Sequence, residues 1–288
     1  MKLSSEFLSN NPALTDNFVN SSQQSRELFF HELYKLASTE LSLAHSVFKT
    51  SACRTVLTLA NQNTMDADTV GAFGTHKQYD TVILQDGKLM GKKHWVTNAT
   101  IATIATIQVQ TNSGILLCKT TLPSIKELFL HSPGMMDTET HDLVFENTDA
   151  IELYYKTDSK YFINSNHNNL CFISNYLGAA SGLFEYMKQT ALSVEHKNLV
   201  QLLDREIAVG VFEQTSSDRF WHNRNALYLQ SKHLLVRICQ RIMEYETGPF
   251  YSLNSIQGKH FFNCLIYSKH NGPIINNYNH MFTEPQDH

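Results

Sequence analysis

Cysteine is scarce in this sequence, and the cysteines that occur show no pairing pattern. There are 5 in 288 residues, and no two of them form a C-x-x-C pair. A disulfide framework or a cysteine-rich zinc site would need regular spacing, so we expect buried, reduced thiols and a cytoplasmic protein. The five positions are Cys53, Cys118, Cys171, Cys239 and Cys264.

Long apolar runs and a strong charge of either sign are also missing. No stretch approaches the roughly 20 uncharged apolar residues that a membrane-spanning helix requires. Residues 1–20 lack the apolar core of a secretory signal. The net charge is -4, whereas nucleic-acid-binding domains are strongly basic. We therefore expect no membrane insertion and no nucleic-acid partner.

The glycine motifs of three large enzyme classes are absent. The sequence contains no G-x-x-x-x-G-K-[ST], no G-x-G-x-x-G and no G-x-S-x-G. The usual support for nucleoside-triphosphate, classical dinucleotide and serine-hydrolase sites is therefore missing. There are 14 histidines, but none lies in H-E-x-x-H, and we predict no metal site.

The sequence does contain hydrophobic periodicity, which changes twice and predicts three regions. Residues 1–68 are predicted to be helical, with Ser21 or Ser22 as a cap, because apolar residues recur there at three- to five-residue steps. Residues 154–288 are predicted to form a helical bundle, and Gly178 and Gly182 would let a neighbouring helix approach closely. The stripe of its first helix consists of Leu170, Ile173, Leu177, Ala180, Phe184, Met187 and Ala191.

Residues 69–153 read as short β-strands separated by turns. Segments rich in Val, Ile and Thr alternate with the turn signals Asp86-Gly87, Asn112-Ser113-Gly114 and Ser132-Pro133-Gly134. This spacing favours an antiparallel barrel or sandwich, since no room is left for helices between parallel strands. The predicted fold class is α+β: an N-terminal helical segment, a central antiparallel β-barrel and a C-terminal four-helix bundle.

One stretch, "GKKHWVTNA" at residues 91–99, carries a more specific signal. Together with "LQDG" before it and "TIATIQVQ" after it, the stretch resembles a strand-turn-strand pattern of the acyl-CoA dehydrogenase superfamily. "PGMMDTETHDLVFENTDAIEL" and "YLGAASGLFEYMKQTA" are similar to two later segments of that family. An alternative interpretation is that Trp95 is a core aromatic residue and that Thr97-Asn98 ends a strand.

The resemblance implies a flavin cofactor, FAD, and a set of residues around it. It puts Trp95 against the flavin ring and Thr97 within hydrogen-bonding reach, with Asn98 and Thr75 as further cofactor-binding candidates. An isoalloxazine needs an apolar face and a few donors at its polar edge, which a strand end can supply. The resemblance also implies a homo- or hetero-oligomer assembled through the C-terminal bundle.

The sequence departs from the family pattern at two places. The glycine-rich T-E-x-G-x-G-S-D loop is shortened, so that "GTHKQYDTV" stands in its place. The late catalytic glutamate corresponds to His270, and the earlier position used by a subset of the family corresponds to Phe172. His270 is either a proton-transfer residue, as in the monooxygenase branch, or a histidine at a helix end that favours the helix dipole.

Three functions are consistent with this pattern. The first is an FAD-dependent, acyl-CoA dehydrogenase-like oxidoreductase that acts on an acyl thioester or a related small substrate. The second is a catalytically degenerate paralogue that serves as the partner subunit of a full-length homologue. The third is a flavin-dependent monooxygenase.

Overall fold

The computed structural model describes residues 3–15, 19–62, 65–122, 126–127, 135–184, 187, 190–209, 218–245, 252 and 254–268. Within these residues the chain runs from three α-helices through seven strands to four further α-helices. The first helices are α1 (Ser5–Ser9), α2 (Gln23–Thr39) and α3 (Leu41–Leu59). The later ones are α4 (Ser159–Phe184), α5 (Thr190–Val209), α6 (Asp218–Tyr245) and α7 (Ile256–Ser268). This helix–sheet–helix order confirms the predicted α+β class.

The predicted N-terminal helices form as expected, and their start is capped by one of the two predicted serines. Ser22 is the cap of α2, and its side chain accepts a hydrogen bond from the backbone N–H of Ser25 at 3.2 Å. Helix α3 follows directly and is buried from Leu41 to Leu57, polar residues included. A helix that is buried on every side must lie between two layers of structure.

The strands are β1 (Gly71–Gly74), β2 (Ile83–Gln85), β3 (Lys88–Val96), β4 (Ile104–Thr111), β5 (Gly114–Thr121), β6 (Lys126–Glu127) and β7 (His141–Tyr155). Two of the predicted turns close hairpins. Asp86 and Gly87, both with positive φ, join β2 to β3, and residues 112–113 join β4 to β5. The third turn signal, at residues 132–134, lies outside the described residues.

The predicted antiparallel barrel is wrong. The strands pair in the order β1-β4-β5-β7-β3-β2, β6 pairs with β7, and β1 runs parallel to β4. The sheet is therefore mixed, and its ends are not joined by a continuous ladder. A single bridge between Phe73 and Thr97 links β1 to the residue after β3. Turn signals identify neighbours joined by a hairpin, but they carry no information about the partner of β1.

The C-terminal helices bury the long helix α4 at their centre. Helix α4 contacts α2, α3, α5, α6 and α7. A Cβ atom added to Gly178 or Gly182 would collide with the backbone carbonyls of Tyr34 and Ser38 on α2. The two glycines therefore allow a close helix approach, as predicted. None of the helices in the described part of the chain has the length and apolarity needed to cross a membrane.

Candidate functional site

Thr97 lies where the end of β3 meets β1. It faces Phe73 across the single bridge, so the two side chains lie on the same face of the sheet. Thr97 is only 4% exposed, and its hydroxyl accepts a hydrogen bond from the Oγ1 of Thr140 at 3.3 Å. The Thr140 hydroxyl is in turn 2.8 Å from that of Thr138. The Thr97 hydroxyl carries one proton of its own, which it can donate to a ligand.

Trp95 is turned outward by an irregularity in β3. The pairing of β3 with β7 shifts between Lys93 and Val96, and Trp95 has a φ of 59° within that interval. Such a φ is strained for a bulky residue, and the Asp142 carboxylate supports it by accepting the Trp95 N–H at 3.1 Å. The indole is 44% exposed. The alternative interpretation of Trp95 as a core aromatic is therefore wrong, because the irregularity re-aims its side chain.

Asn98 fastens the strand end to its neighbours. Its amide nitrogen donates to the carbonyls of Ser46 on α3, at 2.9 Å, and of Gly71 on β1, at 3.0 Å. The residue is fully buried and has a φ of 65°, a conformation that asparagine tolerates better than most residues. The amide nitrogen is thus engaged within the chain, whereas Oδ1 is buried without a hydrogen-bond partner in the described residues.

The shortened loop after β1 is held by a buried ion pair. Thr75 begins this loop and is half-buried. Asp80 accepts hydrogen bonds from the backbone of Lys77 at 2.7 Å and of His94 at 2.9 Å, and its Oδ2 lies 2.5 Å from the Nζ of Lys93. The Asp80 and Lys93 side chains are 1% and 0% exposed. Burial lowers the pKa of Lys93 to about 8, although Asp80 acts in the opposite direction. The Asp80 carboxylate therefore accepts a hydrogen bond from the backbone of the loop itself, at Lys77.

A second buried lysine, Lys49 on α3, has no such partner. Its Nζ lies 4.5 Å from the ring centroid of Phe48, 5.3 Å from that of Phe172 and 5.5 Å from that of Phe73. Lys49 is 5% exposed, and within the described residues its ammonium group forms neither an ion pair nor a hydrogen bond. Burial lowers the pKa of Lys49 to about 7, and the charge of Lys77 lowers it further.

A similar arrangement of helices and strands occurs in solved structures of dehydrogenases. The butyryl-CoA dehydrogenase of Megasphaera elsdenii superposes with a TM-score of 0.70 over 96% of this chain and 87% of that chain, at 16% identity. A glutaryl-CoA dehydrogenase solved with glutaryl-CoA gives 0.71 over 91% and 85%, at 14% identity. The chain has the acyl-CoA dehydrogenase fold.

A monooxygenase shares this fold too. The dibenzothiophene monooxygenase of Paenibacillus sp. A11-2 superposes with a TM-score of 0.64 over 91% of this chain and 82% of that chain, at 14% identity. No protein-family model matches the sequence, and a comparison with curated protein sequences finds no significant match. The resemblance to the acyl-CoA dehydrogenase superfamily is therefore confirmed at the level of the fold.

Two phenylalanines on the later helices, one on α4 and one on α7, are buried. Phe172 is buried and packs edge-on against Phe48, with 4.8 Å between ring centroids. Phe261, on α7, is also buried. His270 lies outside the described residues. Neither Phe172 nor Phe261 can act as a proton acceptor.

Two features of the site were not found from the sequence. A lone lysine such as Lys49 in a helical segment is ordinarily exposed, so its burial could not be read from the pattern. The pair of Asp80 with Lys93 joins residues 13 positions apart, which no helical or strand spacing indicates. For Lys49 a weak signal does exist, because the residues around it are small or apolar over two helical turns.

Among the described residues, no group of three or more His, Cys, Asp or Glu could hold a metal ion. The five cysteines are free and buried, as predicted.

Proposed function

We propose that the chain is a flavin-dependent oxidoreductase of the acyl-CoA dehydrogenase type, with FAD as its cofactor. An acyl thioester or a related small molecule would be its substrate. The observation that carries this proposal is the strand end at Thr97. The exposed Trp95, the Thr97 hydroxyl and Thr75 all lie within two residues of the bridge between Phe73 and Thr97, on the fold that the dehydrogenases share.

The residues at this strand end fit an isoalloxazine ring. Trp95 offers an aromatic face, and Thr97 offers a donor for the ring's polar edge. Thr75 lies close to both because β1 leads into it directly after the bridge at Phe73. Asn98 holds the strand end in place through Ser46 and Gly71, and its buried Oδ1 is the atom it has left to offer a ligand.

A bound flavin would supply the two-electron acceptor that none of the side chains provides. The chain's own residues would orient the ring, exclude water and move a proton. Because Phe172 cannot accept a proton, we assign the proton transfer to His270, which stands at the sequence position of the family's late glutamate. Histidine suits this role near neutral pH.

The absorption spectrum of the purified chain, recorded after incubation with FAD and in parallel with FMN, tests the proposal. Flavin that remains bound after gel filtration would support it. A colourless protein that takes up neither flavin would contradict it. If flavin binds, His270→Ala should reduce turnover at least tenfold, and unchanged turnover would remove His270 from the mechanism.

A second candidate function is that of a partner subunit without its own catalysis. The observation that favours it is the buried Phe172, which replaces a carboxylate with a hydrocarbon ring. Co-purification with a full-length homologue, together with a failure to bind flavin, would favour this function. An oxygen-using reaction is a further alternative, supported by the similarity to the dibenzothiophene monooxygenase. In each case we propose assembly through helices α4 to α7 and a cytoplasmic location.

A further inference from the structure

The ammonium group of Lys49 is a buried cation that has no anionic partner in the described part of the chain. Phe48 and Phe172 cover it from the helices, and Phe73 covers it from the sheet. The faces of aromatic rings attract a cation, but they replace only part of the hydration that burial removes. An interior charge that persists without an anionic partner in the described chain points to a partner from outside it.

The charged and titratable groups near Lys49 do not provide that partner. Lys77, on the loop after β1, repels the Lys49 charge, and the Cys171 thiol on α4 is the one neighbour that favours it. Burial raises the pKa of Cys171 well above its usual value, so the thiol stays protonated at neutral pH. On α3 itself, His45 and Cys53 stand one turn to either side of Lys49. None of these groups is an anion.

Lys49 and Thr97 are both neighbours of Phe73. Phe73 shares a face of the sheet with Thr97, and its ring centroid lies 5.5 Å from the Lys49 Nζ. The ammonium group and the Thr97 hydroxyl therefore flank one phenylalanine side chain, between the sheet and helix α3. A ligand that accepts a hydrogen bond from Thr97 would therefore lie on the same side of the sheet as the Lys49 charge.

Helix α4 brings further polar groups without partners toward this region. Asn164, Asn168 and Phe172 follow one another at four-residue spacing and so lie on one face of the helix. Both polar atoms of the Asn164 side chain, and Oδ1 of Asn168, are buried without a hydrogen-bond partner in the described residues. Buried amides are ordinarily satisfied, so this face indicates a polar ligand or bound water.

We propose that Lys49 faces the pyrimidine edge of the flavin and stabilises the negative charge that this edge gains when the flavin is reduced. The inference rests on the proposed function, because it requires flavin at the Thr97 strand end. The flavin edge combines an aromatic plane with hydrogen-bond acceptors, which matches three phenylalanine rings around a single cation. Lys49 is thus a positioning and charge-stabilising residue.

The test compares the affinity of the chain for oxidised and for reduced FAD, obtained from binding titrations and from the reduction potential of the bound flavin. Lys49→Met keeps the length of the side chain and removes the charge. We expect it to bind oxidised FAD about as tightly as the wild type and reduced FAD roughly tenfold less tightly. For a two-electron couple, tenfold corresponds to a potential about 30 mV lower. Lys49→Arg should retain most of the wild-type preference, and Lys35→Met, at an exposed position on α2, serves as the matched control.

The outcomes separate the two proposals. If the wild-type chain binds no flavin, the proposed function is wrong and this inference falls with it. If the wild type and Lys49→Met bind flavin with the same reduction potential, the proposed function stands and the inference about Lys49 is overturned. Circular dichroism of each variant establishes that its fold is retained, and Lys49→Arg separates loss of charge from loss of packing.

Discussion

Lys93 and Lys49 are two of the lysines buried in the described part of the chain, and they are buried in opposite ways. Lys93 on β3 lies 2.5 Å from the Asp80 carboxylate and also donates to the carbonyl of Gln108 at 2.8 Å. Lys49 on α3 lies among aromatic rings and has no carboxylate partner in the described chain. The first lysine is satisfied within the chain and holds a loop. The charge of Lys49 is not compensated within the described chain, and it lies beside the candidate site. We therefore interpret Lys93 as a structural residue and Lys49 as a ligand-binding residue.

The largest expected effect comes from breaking the satisfied pair. Asp80→Asn removes the anion and leaves the Lys93 charge buried, which should lower the free energy of unfolding by about 3–5 kcal/mol. Urea denaturation monitored by circular dichroism measures this change. The matched control is Asp149→Asn, whose partner Lys88 lies at 2.9 Å in an exposed pair, so a change below about 1 kcal/mol is expected. Equal effects of the two variants would contradict the structural role of the buried pair.

The second prediction has the opposite sign. Lys49→Met removes a buried charge that has no anionic partner among the described residues. Without ligand, the free energy of unfolding at pH 7 should therefore stay unchanged or rise by about 1–3 kcal/mol. The same urea denaturation measures it. A loss of several kcal/mol would mean that Lys49 has an internal partner, and the contrast with Lys93 would then disappear.

The pH dependence of stability sharpens the contrast. The pKa of Lys49 is about 7 in the folded chain and near 10.4 when unfolded. Below pH 7 both states carry the proton, and the penalty of burying the charge is complete. Between about pH 7 and 10 the unfolded chain holds a proton that the folded chain has released, so this group makes stability rise with pH.

The contribution of Lys49 should reach up to about 1.4 kcal/mol per pH unit in that range. Thermal or urea denaturation at several pH values, with Lys49→Met as the reference, isolates it from other titrating groups. The free energy of unfolding of the wild type minus that of the variant should increase as the pH rises. A difference independent of pH would show that Lys49 keeps its ordinary pKa.

The smallest expected effect concerns Thr97, which neighbours Phe73 as Lys49 does. Thr97→Val keeps the shape of the side chain and removes the proton that we expect the flavin to accept, so FAD affinity should fall about five- to tenfold. Thr121→Val, at an exposed position at the end of β5, is the control. Flavin fluorescence titration measures both. Unchanged affinity in Thr97→Val would place the flavin elsewhere.

The local features of the fold could be predicted, because they depend on neighbouring residues. Asp86-Gly87 indicated a hairpin, and Gly178 and Gly182 indicated a close helix contact. The pairing of β1 could not be predicted, because Gly71–Gly74 contains no β-branched residue and its partner β4 lies beyond another hairpin. Pairing between distant strands is decided by the packing of the whole sheet.

Of the candidate site, only the residues at the strand ends were predicted from the sequence. Thr97 and Trp95 were singled out from the sequence pattern, but the outward turn of Trp95 depends on an irregularity in the pairing of β3 with β7. Lys49 was missed because burial of a lysine depends on which rings the tertiary fold brings around it. The spacing of residues along one helix contains no such information.

The close packing of α2 on α4 also affects how the chain is made. Helices α2 and α3 leave the ribosome more than a hundred residues before α4, whose Gly178 and Gly182 receive α2. At about 5–20 residues per second, the N-terminal helices wait roughly 6 to 25 s for their partner. During that interval the apolar side of α3 is open to chaperones and to other nascent chains. Folding can therefore be completed only after the later half of the chain has been synthesised. Translation that stops before residue 184 would produce an aggregation-prone fragment.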